Sequence, residues 1–261
     1  MNTLRYTLIT TILLGLTMAE TSSAADNRER FEALVYESSF DMQLPYRLLK
    51  PKNYDAKKKY PLVIFFHGAG ERGSDNFKQL VHGMNDFASD ENMEAHPCFV
   101  IAPQCPGNQM WVDVPWSLDS HTMPEKATPG MRSTLELLDQ TAADYSIDKN
   151  RIYVTGLSMG GFGAWDIVQR YPKKFAAAVP ICGGGDTAEA KTIKDVPIWA
   201  FHGDKDTAVK TSRSRDMIAA IKKAGGDAKY TEYKGVGHNS WSRTYANKEV
   251  YDWLFKQSLG K

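Results

Sequence analysis

Three side chains far apart in the sequence carry the groups needed for nucleophilic acyl transfer: Ser158, a carboxylate at Asp204 or Asp206, and His238. A serine hydroxyl is a poor nucleophile until a base removes its proton. An imidazole in that role needs an acid to fix its tautomer and stabilise its cation. Ser158 lies at the centre of Gly156-Leu157-Ser158-Met159-Gly160, a G-x-S-x-G pattern. The glycines have a steric purpose: a strand turning sharply into a helix strains the central residue, and neighbours without a Cβ let the turn close. His202 shares a turn with the two aspartates, so elimination makes His238 the base. Asp206 lies further round its loop than Asp204 and is better placed to reach a histidine on a neighbouring loop. Asp204 suits a turn cap.

These residues need elements to position them. The apolar, β-branched and aromatic run Ile152 to Val154 reads as a strand entering the serine turn, and Phe162, Trp165, Ile167 and Val168 repeat at helical spacing after it. Further buried strands are expected at 61–66, 98–102, 175–181, 196–201 and 228–233, with an edge pair at 31–40 and 42–49. Helices are expected at 131–145, 212–224 and 246–255, with a short one near 77–86. Buried strands alternating with helices predict one α/β domain with a mainly parallel central sheet flanked by helices.

In such a sheet, ligands collect beyond the carboxyl ends of the strands, where His67-Gly68-Ala69, Ser158, Asp206 and His238 all fall. The chain order Ser, acid, His is that of the α/β-hydrolases. An oxyanion hole is expected from the backbone N–H of Met159 and that of Ala69, with Gly70 the alternative to Ala69. His67 itself reads as structural. Residues 107–129 form an irregular loop carrying Trp111 and Trp116, and Trp241 follows the base. These three tryptophans are the candidates for stacking on a sugar ring or phenolic acid, the alternative being that they seal the loops onto the core.

The 261 residues have a formal net charge of +1, with no basic excess to suggest nucleic acid and no block of like charges. The histidines are scattered, the cysteines are not paired at C-x-x-C spacing, and no phosphate-binding glycine loop occurs, so neither a metal nor another cofactor is called for. The first 25 residues have a basic start, an apolar stretch with Ile9, Ile12, Leu13, Leu14 and Leu16, and small residues at Ser22-Ser23-Ala24-Ala25. That is the pattern of a secretory signal peptide rather than a membrane anchor. It predicts a catalytic domain at 26–261, without a membrane span, that is secreted or periplasmic. Of the three cysteines, Cys98 and Cys105 flank one strand and lie too far apart to bond. A Cys105–Cys182 bridge and buried free thiols both remain open.

Beyond the serine turn, the stretches 67–73 (HGAGERG), 102–106 (APQCP), 156–165 (GLSMGGFGAW), 179–185 (VPICGGG), 201–206 (FHGDKD) and 237–241 (GHNSW) resemble one family. It is the secreted bacterial α/β-hydrolase esterases often labelled "predicted peptidase", near feruloyl-esterase and polyester-depolymerase-like enzymes. The resemblance covers nearly all of the chain after residue 25 and implies Ser158, Asp206 and His238 as the triad. It implies a serine carboxylesterase more than it identifies a substrate; a small-molecule or polysaccharide-linked ester is expected, an acylated polysaccharide fragment or an aryl (feruloyl-type) ester. A peptidase on the same triad and a non-catalytic carbohydrate-binding protein are the alternatives.

Overall fold

The computed structural model describes residues 26–260. The chain opens with an antiparallel pair, β1 (Glu32–Glu37) and β2 (Gln43–Leu49), and continues into β3 (Tyr60–Phe66). Two short helices follow, α1 (Met84–Phe87) and α2 (Asp90–Ala95), then β4 (Phe99–Pro103) and α3 (Pro129–Asp144). The central unit is β5 (Ile147–Leu157), α4 (Met159–Arg170) and β6 (Ala177–Ile181). The chain closes with β7 (Trp199–Gly203), α5 (Ser212–Lys223), β8 (Lys229–Tyr233), α6 (Trp241–Tyr245) and α7 (Lys248–Phe255).

All eight strands form one sheet in the order β1-β2-β4-β3-β5-β6-β7-β8. The β1/β2 and β2/β4 pairings are antiparallel and the remaining pairings parallel. This is the α/β-hydrolase architecture, in a single domain. Strand β3 is buried along its whole length because both of its faces are covered. Leu62, Ile64 and Phe66 pack on one side with Phe162 and Trp165 of α4 and Met217 of α5. Val63 and Phe65 pack on the other with Phe87 of α1 and Tyr251 and Leu254 of α7. The two-residue period of a strand thus divides one continuous apolar run between two cores.

Element ends follow local chemistry. Thr128 caps α3 by accepting from the Met131 N–H, with Pro129 opening the helix. The helix expected over 246–255 is α7, which starts at Lys248 because the Asn247 side chain caps it by accepting from Glu249 N–H; the short α6 before it was not expected. The segment near 77–86 is a 3₁₀ turn, Lys78–Leu80, followed by α1. Helix α2, capped by Ser89, lies in a polar insertion with no apolar period to announce it. The three thiols are free and buried, so the Cys105–Cys182 bridge is not formed. The segment read from sequence as a signal peptide, 1–25, lies outside the described residues. Among those described, no helix is long and apolar enough to cross a membrane.

Candidate active site

Ser158 sits between the end of β5 and the start of α4 with φ 54° and ψ −119°. A left-handed backbone on a non-glycine residue costs roughly 1–3 kcal/mol and persists only where its surroundings enforce it. Here the neighbours do so. A Cβ on Gly156 would lie 2.3 Å from the Gly160 carbonyl oxygen, and one on Gly160 would lie 2.0 Å from that of Phe66. The glycines therefore let strand and helix touch, and Ser158 N–H is tied to the Ile181 carbonyl at 3.0 Å.

The Ser158 hydroxyl lies 2.8 Å from His238 Nε2, and His238 Nδ1 lies 2.7 Å from Asp206 Oδ2. The Asp206 side chain is shut off from solvent. Burial alone would raise its pKa, but contacts with His202 and His238 and the backbone N–H of Val209 outweigh that and hold it well below the usual carboxylate range. Its Oδ1 accepts from the N–H groups of Ala208 and Val209, both at 2.9 Å. Asp204 instead accepts from Gly235 N–H at 2.7 Å, which ties its turn to the loop after β8, and it does not bond His238.

His202, given no role from sequence, is a second support. Its Nε2 lies 3.1 Å from both the Val209 carbonyl and Asp206 Oδ2. A carbonyl only accepts, so this nitrogen carries a proton, while Nδ1 lies 2.8 Å from the Ser214 hydroxyl.

Met159 N–H belongs to the first turn of α4 and Ala69 N–H follows Gly68; neither has a hydrogen-bond acceptor among the described residues. Arg72 fixes the Ala69 loop by donating to the carbonyls of Ala69 at 2.9 Å and Gln109 at 3.2 Å. His67 is structural: its Nε2 accepts the Cys105 N–H at 2.9 Å, and burial lowers its pKa to about 4.

A cavity of about 290 Å³ opens above Ser158 and His238, with Trp116 and Trp241 in its wall. Trp111 does not line it, which corrects the sequence expectation. Trp111 is fully buried, donates its indole N–H to the His67 carbonyl at 3.1 Å and packs on Phe66 with ring centroids 4.8 Å apart. It seals the loop to the core. A larger hollow of about 860 Å³, lined by Lys149, Ile152 and Arg170, lies toward the start of β5 and contains none of the candidate residues.

A profile of the phospholipase/carboxylesterase family matches residues 53–251. The chain belongs to that family. It is 34% identical over 146 residues to the bifunctional acetylxylan esterase/xylanase XynS20E of Neocallimastix patriciarum, covering 56% of this chain and 19% of that protein. Among solved structures it is similar to a thermostable esterase, with 40% identity and a TM-score of 0.83, covering 88% of this chain and 64% of the other. A ferulic acid esterase from Anaeromyces mucronatus shares the fold at 15% identity, with a TM-score of 0.62 and coverage of 87% and 90%.

In this member of the carboxylesterase family, several pocket residues were not singled out from sequence. Glu71 and His82 line the cavity with Ala69, as do Leu157, Ala208 and Val209. Glu71 lies in the HGAGERG stretch, where its position was the available signal; nothing local marks His82. Cys182 Sγ, Asp206 and His238 offer ligand atoms within 4.8 Å of one another, a spacing a metal ion could use. Asp206 and His238 are bonded to each other there, and burial pushes the Cys182 thiol up to about 12. A cation would have to displace both a hydrogen bond and a tightly held proton.

Proposed function

We propose that this chain is a secreted serine carboxylesterase. Ser158 attacks the ester carbonyl while His238 takes its proton at Nε2, and Asp206 holds the tautomer and the cation that results. The N–H groups of Met159 and Ala69 receive the developing oxyanion. His238 then returns the proton to the departing alcohol, and water hydrolyses the acyl-enzyme by the same route. The observation carrying this reading is the continuous line from the Ser158 hydroxyl through His238 to Asp206, at 2.8 and 2.7 Å.

The substrates on this reading are acylated polysaccharide fragments or small aryl esters. Support comes from the acetylxylan and ferulic acid named for two similar proteins, and from the tryptophans in the pocket wall. Residues 1–25 act as the export signal, leaving 26–261 as the catalytic domain. The test is turnover of p-nitrophenyl acetate and labelling by a fluorophosphonate. Ser158→Ala abolishes labelling and lowers kcat by about 10⁴-fold or more. A variant within tenfold of wild type ends the assignment. N-terminal sequencing of exported protein tests the signal peptide.

A further inference from the structure

Glu71 stands in the cavity wall with its side chain 14% exposed, and no N–H or O–H of the described residues donates a hydrogen bond to its carboxylate. The nearest basic side chain among the described residues is His82, with Nε2 at 3.6 Å from Oε1, beyond a good hydrogen bond. The other oxygen, Oε2, lies against Gly68, where an added Cβ would be 2.9 Å from Oε2 and 3.7 Å from Ser158 Cβ. A bare carboxylate this close to the nucleophile opposes the negative charge that acyl transfer creates. Its placement is intelligible if the substrate brings the missing donor.

The position of this group relative to the base says which part of the substrate it meets. The His82 ring packs on Trp241 with centroids 5.2 Å apart, and Trp241 stands edge-on to His238 at 5.3 Å and 87°. Glu71, His82 and Trp241 thus form a wall continuous with the imidazole that hands a proton to the departing alcohol. Leu157, Ala208 and Val209 add apolar surface to the same cavity.

We infer that Glu71 and His82 form a specificity subsite that reads free hydroxyls beside the ester on the alcohol side of the substrate. This rests on the esterase reading above. The carboxylate accepts from one hydroxyl and the imidazole exchanges a hydrogen bond with its neighbour, while Trp241 offers the ring a flat apolar surface. Hydroxyls both donate and accept, as this pair requires. A quaternary ammonium such as that of acetylcholine has no N–H and no lone pair, so it can neither donate to the carboxylate nor bond to the imidazole.

The test compares kcat/KM for methyl 2-O-acetyl-β-xylopyranoside, cyclohexyl acetate and acetylcholine. Wild type favours the xyloside over cyclohexyl acetate by about 10–100-fold, the range of a hydrogen bond to a charged group. Glu71→Gln lowers that ratio about tenfold, through KM for the xyloside, because the neutral amide is the weaker acceptor. His82→Gln read on the same ratio provides a second variant should the first fail to fold. A wild-type ratio near one, a ratio unmoved by either variant, or an equal preference for acetylcholine overturns the subsite. If no ester is turned over and Ser158 takes no fluorophosphonate label, the esterase reading falls and the subsite with it.

Discussion

The loop after β7 and the loop after β3 each bring a carboxylate to the site and treat it in opposite ways. Asp206 is enclosed by two histidines and two backbone N–H groups, so its charge is satisfied before any substrate arrives. Among the described residues, Glu71 has only a distant imidazole. A saturated carboxylate cannot move and suits orienting a base; a bare one can still form bonds and suits recognition. On the proposed reading, the difference separates fixed machinery from a surface that waits for a ligand.

Breaking the saturated side is expected to have the largest effect. Asp206→Asn removes the charge that stabilises the His238 cation and favours the wrong tautomer, lowering kcat for p-nitrophenyl acetate about 10⁴-fold with the fold retained. Loss of less than tenfold would mean that Asp206 is not the orienting acid. His202→Gln weakens one of the supports of Asp206. It is expected to lower kcat by about 10–100-fold, the value of a hydrogen bond to a charged group, with KM changed little. An equal rise in KM would place His202 in substrate binding instead.

The comparison can be sharpened with residues that hold the loops but stay out of the cleft. Trp111→Phe deletes the bond to the His67 carbonyl and leaves that oxygen buried without its donor. The expected cost is about 1–3 kcal/mol, seen as a Tm lower by roughly 2–10 °C. Its KM should stay within about twofold of wild type, the scatter of surface-neutral changes. A large KM effect would restore Trp111 to the pocket.

A smaller effect follows from pH. Burial lowers the pKa of His67 from 6.5 to about 4, and burial with the neighbouring Arg213 cation does the same to His121. The unfolded chain takes up these protons first, so stability is fully present above pH 6.5, erodes as pH falls towards 4 and levels off below it. Calorimetric Tm values across that window should fall with pH, and His121→Gln should flatten part of the slope. The Arg213 guanidinium donates to His121 Nδ1, so protonating that nitrogen sets two cations against each other.

Much of the framework was legible from local patterns. The serine turn could be read because its glycines answer a steric demand confined to a few residues, as the contacts at Gly156 and Gly160 make plain. Strand positions could be read because a sheet buried on both faces requires continuous apolar runs such as 61–66. Helices α2 and α6 were missed because each is too short to show an apolar period, six and five residues.

The amino-acid sequence by itself determined which residue types stand at the strand ends and in what order, because strand and helix periods and turn sterics act over a few neighbouring residues. Tertiary structure alone decided that Trp111 turns inward while Trp116 lines the cleft, since an aperiodic loop carries no rule for which way a side chain faces. It also decided that Glu71 meets His82 beside Trp241, and that His202 shares Asp206 with His238. Those contacts depend on how separate loops pack across the sheet's edge, a long-range arrangement that no short stretch of chain encodes.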